Sequence, residues 1–212
     1  IKDRYTRRKI FALSRHKVRQ VLHAPFLIPS RFLKQLLTIF RAMSGVHDPQ
    51  RTEKQLANRR ALDFMASPAM NQCLYACPES NLGCTSIKHL RWELDLLELA
   101  RLCRLSLRSE IWEKPSAVAD TGCFLEGVCA PWPEFAGIMN KVMGPDSGQK
   151  SLKILFLPAN SGEIIFDLRF IRVLVRLGHK VILALKEGYS LDSPVIWDVE
   201  HDSALQDSVG DA

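Results

Sequence analysis

The sequence predicts an α/β fold: a mainly helical N-terminal region over residues 1–146, then a Rossmann-like parallel βαβ sheet region over 147–212 that is incomplete on its C-terminal side. Three observations predict it. Two apolar runs of strand length, 153–157 (KILFL) and 181–185 (VILAL), flank a segment of helical period at 163–177. The first 150 residues repeat apolar side chains at helical rather than alternating spacing. Between the two regions, 144–148 reads Gly-Pro-Asp-Ser-Gly, the strongest linker signal in the chain.

Taken in order, 15–22 predicts a helix ended by Pro25, and Pro29-Ser30 offers an N-cap for a helix over 31–43, stopped by Gly45. Asp48-Pro49 starts a further helix that runs through Glu53, Lys54, Asn58 and Leu62 to about Met65. Residues 66–86, with Pro68, Pro78 and Gly83, read as irregular. The amphipathic pattern over 87–108 predicts a helix that buries Leu90, Leu94, Leu97, Ala100 and Leu105. Residues 109–133, with Pro115, Gly122, Gly127 and Pro131, read as loop, and 133–143 as a short helix. In the second region, the helix over 163–177 is expected to bury Ile164, Ile165, Leu168, Ile171, Leu174 and Val175 between two buried parallel strands.

Composition bounds the function. The chain has 212 residues, 47% hydrophobic and 25% charged, enough for a core and far from collagenous or disordered composition. No apolar run approaches the roughly 18 residues of a membrane span, so the reading is a cytoplasmic protein without a membrane partner. Residues 1–60 hold 15 of the 29 Lys and Arg, against only Asp3, Asp48 and Glu53. The arm 2–19, with Lys2, Arg4, Arg7, Arg8, Lys9, Arg15, Lys17 and Arg19, is therefore a possible nucleic-acid contact as well as a solvated helical face. No zinc-finger spacing or RNA-binding aromatic motif accompanies it. The six cysteines (Cys73, Cys77, Cys84, Cys103, Cys129 and Cys123) include no CxxC pair and read as free thiols, with a metal or disulfide role as the alternative.

The chemistry is expected where the parallel strands end. After the first strand comes Asn160-Ser161-Gly162-Glu163. The amides of Ser161, Gly162 and Glu163 would open a helix, an arrangement suited to a phosphate or carboxylate, and Gly162 would admit close backbone approach. The Asn160 amide oxygen suits a hard cation. Glu163 and Asp167, one turn apart, either serve chemistry or complement the helix dipole. After the second strand, Lys186 can meet a phosphate as a point charge. Asp198, Glu200, His201 and Asp202 form an acidic cluster beyond it.

The stretch 153–167, with Asn160, Gly162, Glu163 and Asp167, resembles the signature of the metal-dependent damage-control phosphatases (domain of unknown function 89). Upstream, Asp48, Pro49, Glu53, Lys54 and Asn58 are similar to that family's Asp-Pro-x-x-x-Glu-Lys helix. The resemblance covers roughly residues 30–65 and 134–205. It implies an α/β fold with a helical cap and hydrolysis of small phosphorylated metabolites, such as sugar phosphates or damaged phospho-metabolites, with Mn2+, Co2+, Ni2+ or Mg2+. It assigns Asn160 and Asp198 as metal ligands. Ser161, Gly162 and Lys186 are expected to bind substrate, and Glu163 or Asp202 to orient or deprotonate a water.

The departures are specific. Ala159 stands where the family has a ligating Asp, and Trp197 where it has Asn. The gap from Asp198 to Asp202 is one residue short, and the family's later Gly-x-Gly-Asn segment is missing. The chain opens on Ile1 and ends at Ala212, so the expectation is a truncated or degenerate member. The alternative function is a non-catalytic member that binds a metabolite or partner, or a nucleic-acid-associated protein using the basic arm.

Overall fold

The computed structural model describes residues 3–23, 26–75, 86–108, 110–113, 121–148, 151–189 and 191–210. Lys2, Pro25, Cys77, Pro78, Gly83, Cys84 and Pro115 lie outside the described residues. The chain divides into two compact units, residues 1–51 and 52–212.

The first unit is a helical pair. Helix α1 (Arg4–Leu22) starts eleven residues earlier than expected, because Asp3 caps it by accepting from the Tyr5 (3.0 Å) and Thr6 (2.8 Å) amides. It buries no residue, and Tyr5 and Phe11 are exposed beside its basic side chains. It packs against α2 (Pro29–Ser44). Ser30 is not the cap of α2: Ile28 holds that position and Pro29 fills the first turn, where a missing N–H costs nothing. Gly45 ends α2 in the left-handed region, at φ 67°.

The second unit holds the core. Helix α3 (Arg51–Met65) buries Lys54, Asn58 and Ala61. The segment expected to be irregular contains α4 (Pro68–Tyr75), which the Ser67 hydroxyl caps by accepting from the Met70 amide. Helix α5 (Ile87–Ser106) forms as expected, but on a different face. Trp92, Leu96, Leu99, Leu102 and Leu105 are buried, whereas Leu90 and Leu94 are 37% and 50% exposed. Leucines lie on nearly every side of this helix, so periodicity could not choose among them; packing against a later helix did.

The loop expected over 109–133 contains α6 (Glu110–Glu113) and α7 (Thr121–Cys129). Arg104 holds the end of α7 by donating to the carbonyls of Gly127 (2.9 Å) and Ala130 (2.6 Å), which a helix end leaves unpaired. Helix α8 (Pro133–Met143) is anchored by Trp92 Nε1 donating to Asn140 Oδ1 at 2.6 Å. The linker-like run after it is tied to α5: Lys88 Nζ donates to the Pro145 carbonyl (2.9 Å), and His89 Nε2 lies 3.3 Å from Asp146 Oδ2. Cys103 is a free thiol.

The βαβ unit is present. Strand β1 (Lys153–Phe156) pairs in parallel with β2 (Lys180–Leu183), Lys153 opposite Lys180 and Phe156 opposite Leu183. Helix α9 (Glu163–Arg176) crosses between them and packs on α5. Phe166, Ile164 and Ile165 are buried, while Val175, expected inside, is 54% exposed. The strands are not buried as expected either. Leu155 (62% exposed) and Ile182 (60%) face away from the packed side, where Ile154 and Val181 meet the core. Two short helices, α10 (Ile196–His201) and α11 (Ser203–Gly210), follow β2, and α11 packs back on α9. Among the described residues no helix is long and apolar enough to cross a membrane.

The α5 face is directly testable. Leu99, fully buried, should cost about 2–5 kcal/mol on truncation to Ala. Leu94→Ala, at a half-exposed position, should cost under about 1 kcal/mol. Urea midpoints of the two variants against the parent chain check this, and the reverse order would restore the face read from periodicity.

Candidate functional site at the carboxyl ends of the strands

Two loops meet beyond the strand ends. The loop after β1 carries Ala159, Asn160, Ser161 and Gly162. The loop after β2 runs to Val195, where Lys186 and Val195 form a parallel bridge. The loops are joined by the Ser161 amide, which donates to the Asp192 carbonyl at 2.8 Å.

Helix α3 brings two side chains to this junction. Lys54 and Asn58 are one turn apart and so share a helix face. Lys54 Nζ lies 2.6 Å from Asp198 Oδ2, with the two side chains 2% and 5% exposed. The same Asp198 oxygen accepts from the Val195 amide at 2.9 Å. Asn58 binds both ways: its Oδ1 accepts from the Gly162 amide (2.5 Å), and its Nδ2 donates to Asp202 Oδ2 (2.7 Å). Asp202 Oδ1 accepts from the Ala204 amide at 3.0 Å. Helix α3 therefore clamps the turn into α9 and both ends of α10.

Gly162 has a role other than the one expected. It sits at φ +86°, and a Cβ built there would lie 2.5 Å from the Trp112 ring. The close neighbour that excludes a side chain is Trp112, not a ligand. The Ser161 and Gly162 amides, expected to face an anion, are taken by Asp192 and Asn58. Ser161 Oγ is buried with no hydrogen-bond partner among the described residues.

The acids divide by environment. Burial raises the Glu163 carboxyl above its ordinary range, the Asn160 backbone N–H opposes that, and the Asp192 charge adds to it. Burial, assisted by the Glu163 charge, pushes Asp167 up to about 7. Cys103 is raised by burial and by the charges of Asp167 and Glu163. Asp202 is raised by burial against the Asn58 hydrogen bond. Being buried with both oxygens bonded, it braces Asn58. Lys186 is exposed and donates to Ser193 Oγ at 2.8 Å. His201 stacks on Trp197 at 3.9 Å, outside this network.

Residues 5–205 match the damage-control phosphatase ARMT1-like domain. The chain belongs to this damage-control phosphatase family. No curated protein and no solved structure matches it. The ARMT1-like match spans almost the whole chain, including the 66–133 stretch that the motifs had left unmatched. Damage-control phosphatases generally depend on a divalent metal. The ligand set that the resemblance implies does not fit that metal here. Ala159 offers no side-chain donor, and Asp198 already neutralises a buried lysine. Among the described residues no group of three or more His, Cys, Asp or Glu could hold a metal ion.

Lys54 and Asn58 belong to this site although the residue-by-residue reading assigned them no role. A signal was available: Lys54 and Asn58 share the four-residue spacing of Asp198 and Asp202, and both pairs are separated by 144 residues. Donors at i and i+4 facing acceptors at j and j+4 form a matched pair of clamps.

Two predictions follow from this geometry. Lys54→Met leaves the Asp198 carboxylate buried without its cation and should cost about 3–5 kcal/mol in urea unfolding. The double variant Lys54→Met/Asp198→Leu should recover much of that loss. The second prediction concerns pH. The folded state keeps a proton on Asp167 up to about 7, against 3.8 ordinarily, so the unfolded chain releases it first. Its contribution is complete below about pH 4 and is lost as the pH rises towards 7. Asp167→Asn removes this loss, so the stability of the parent relative to the variant should fall between pH 4 and 7; a constant difference would show an unshifted carboxyl.

Proposed function

We propose that this chain binds small phosphorylated metabolites where β1 and β2 end, and that its hydrolysis of them is curtailed by Ala159. The observation that carries the reading is the double clamp from α3, Lys54 to Asp198 and Asn58 to Gly162 and Asp202. It keeps the family's two motifs assembled around the strand ends although a ligating acid is gone.

In this reading Lys186 is the exposed cation that meets the phosphoryl group. Ser161 and Gly162 shape the loop from beneath. Glu163, half-buried and with its carboxyl raised, is the group suited to hold and move a proton at the leaving oxygen or at water. Asp202 supports Asn58 rather than the reacting atoms. A cation, when bound, would polarise the phosphoryl oxygens. The site here presents less negative charge to one than a site with the acid at 159.

Phosphate release from an aryl phosphate with and without Mn2+ tests the proposal. The parent chain should release little, and Ala159→Asp should raise the Mn2+-dependent rate by at least about tenfold. Lys186→Ala should weaken binding of a sugar phosphate in calorimetry by a similar factor. Equal rates for the parent and Ala159→Asp would remove Ala159 as the limiting feature. Absence of sugar-phosphate binding by the parent would overturn the metabolite reading in favour of a partner-binding role.

A further inference from the structure

A cavity of about 330 Å³ lies at the amino ends of the strands, opposite the candidate site. Helix α9 separates the two places. Glu163 opens it beside the strand-end loops, and Arg176 at its far end, roughly 20 Å along the axis, reaches the cavity. Trp92, Met143 and Leu177 give the cavity apolar walls. The Trp92 ring is fixed there by its bond to Asn140 Oδ1.

The charges around the cavity do not cancel. Asp95 brings an acid to the wall, but Arg176 lies 2.5 Å from it and 2.7 Å from Glu98. Arg169, 3.4 Å from Glu98, completes a balanced group of cations and acids. Lys88 and Arg91, in the first turns of α5, are left over. Lys88 Nζ donates to the Pro145 carbonyl at 2.9 Å, which uses one of its three hydrogens. Arg91 is exposed and has no hydrogen bond or ion pair among the described residues. Asp146, next to Pro145, turns to His89 instead, at 3.3 Å. The amino end of α5 adds partial positive charge. The carbonyls that end α8 and α9 offset little of this, since those of Asn140, Leu174 and Val175 already accept from the Gly144, His179 and Gly178 amides.

His179 supplies an independent sign of a ligand. It is in the cavity wall and only 7% exposed. Its Nδ1 accepts from the Leu152 amide at 3.3 Å, so in the neutral ring the proton sits on Nε2. Burial holds the ring below the usual imidazole range, which favours that neutral form. No described residue accepts from Nε2. An N–H on a residue this buried calls for an acceptor, and an anionic oxygen in the cavity provides one.

We infer that this cavity is a second ligand site, which takes a small organic anion: a carboxylate or phosphate head held by Arg91, Lys88 and the His179 N–H, with an apolar body against Met143 and Leu177. Ligand cavities run from about 300 to 1,000 Å³, so this one suits a single ring or a short chain. The inference does not rest on the proposed function. It uses none of the residues at the strand ends and needs no cation.

The experiment is titration of the full chain with benzoate and, separately, with phenyl phosphate. The Trp92 indole N–H and His179 ring resonances in NMR spectra report the place, and calorimetry reports the affinity. At least one of the two anions should shift both residues saturably, with a Kd of about 10⁻³ M, as expected of a ligand this small. Arg91→Ala should weaken that binding at least about tenfold. His179→Asn, whose Oδ1 can replace Nδ1 as the acceptor from Leu152, should weaken it about threefold. Lys141→Ala, at an exposed lysine on the other side of α8 from Met143, should leave it unchanged and control for general charge. Circular dichroism confirms the fold of each variant. Binding of both anions supports recognition by charge, and binding of one alone supports the site and identifies its head group. Absence of saturable shifts at Trp92 and His179 with either anion, or equal binding by the parent and Arg91→Ala, would overturn the inference. Neither result touches sugar-phosphate binding at Lys186, which is read separately.

Discussion

The buried contact between Lys54 and Asp198 is the constraint on which the candidate site depends. At 2.6 Å and almost without solvent, it joins a helix near the start of the second unit to a short helix near its end. Desolvating two charges is expensive, and a buried pair of this kind adds little net stability compared with an apolar replacement. Its importance lies in specificity. With one partner displaced, the other remains as an uncompensated charge in the interior, so alternative placements of α3 against α10 are strongly disfavoured. Asn58 extends this one turn along α3. It takes the Gly162 amide on one side and gives to Asp202 on the other, so the start of α9 and the end of α10 are referred to the same helix.

This arrangement explains why several polar groups that look functional in the sequence are structural in the fold. A short helix such as α10 has little apolar surface with which to hold its place. Asp198 and Asp202 hold it through Lys54 and Asn58, and the Ser161 and Gly162 amides are used to join and seat the loops. In the two loops, Lys186 and Asp192 face solvent, and Asn160 and Glu163 do so in part. The requirement for glycine at position 162 likewise comes from the interior, where Trp112 packs against its Cα.

Much of this was legible in the amino-acid order. The βαβ unit was, because strand-length apolar runs and a helical stripe between them leave few alternatives. So were α2, α3 and α8, each marked by proline or glycine at an end. Helices α4 and α7 were not, because Pro68, Gly122 and Gly127 look like loop residues, whereas Ser67 and Arg104 satisfy the helix ends through side chains. The burial of the strands was misjudged for a related reason. Apolarity marks a strand, but it does not say which of its faces another layer covers.

By itself, the sequence determined the family and the order of the βαβ elements, because these depend on local periodicity and on motifs of short span. It also showed that position 159 lacks its acid. Only the tertiary structure decided which acids are buried and which are exposed. Asp198 and Asp202 look alike as sequence, as does Asp192, but the first two are buried against Lys54 and Asn58 and the third stands exposed beside Asn160. The physical reason is that the role of a carboxylate is set by its partners and its access to water, and here those partners lie across the fold, as much as 144 residues away.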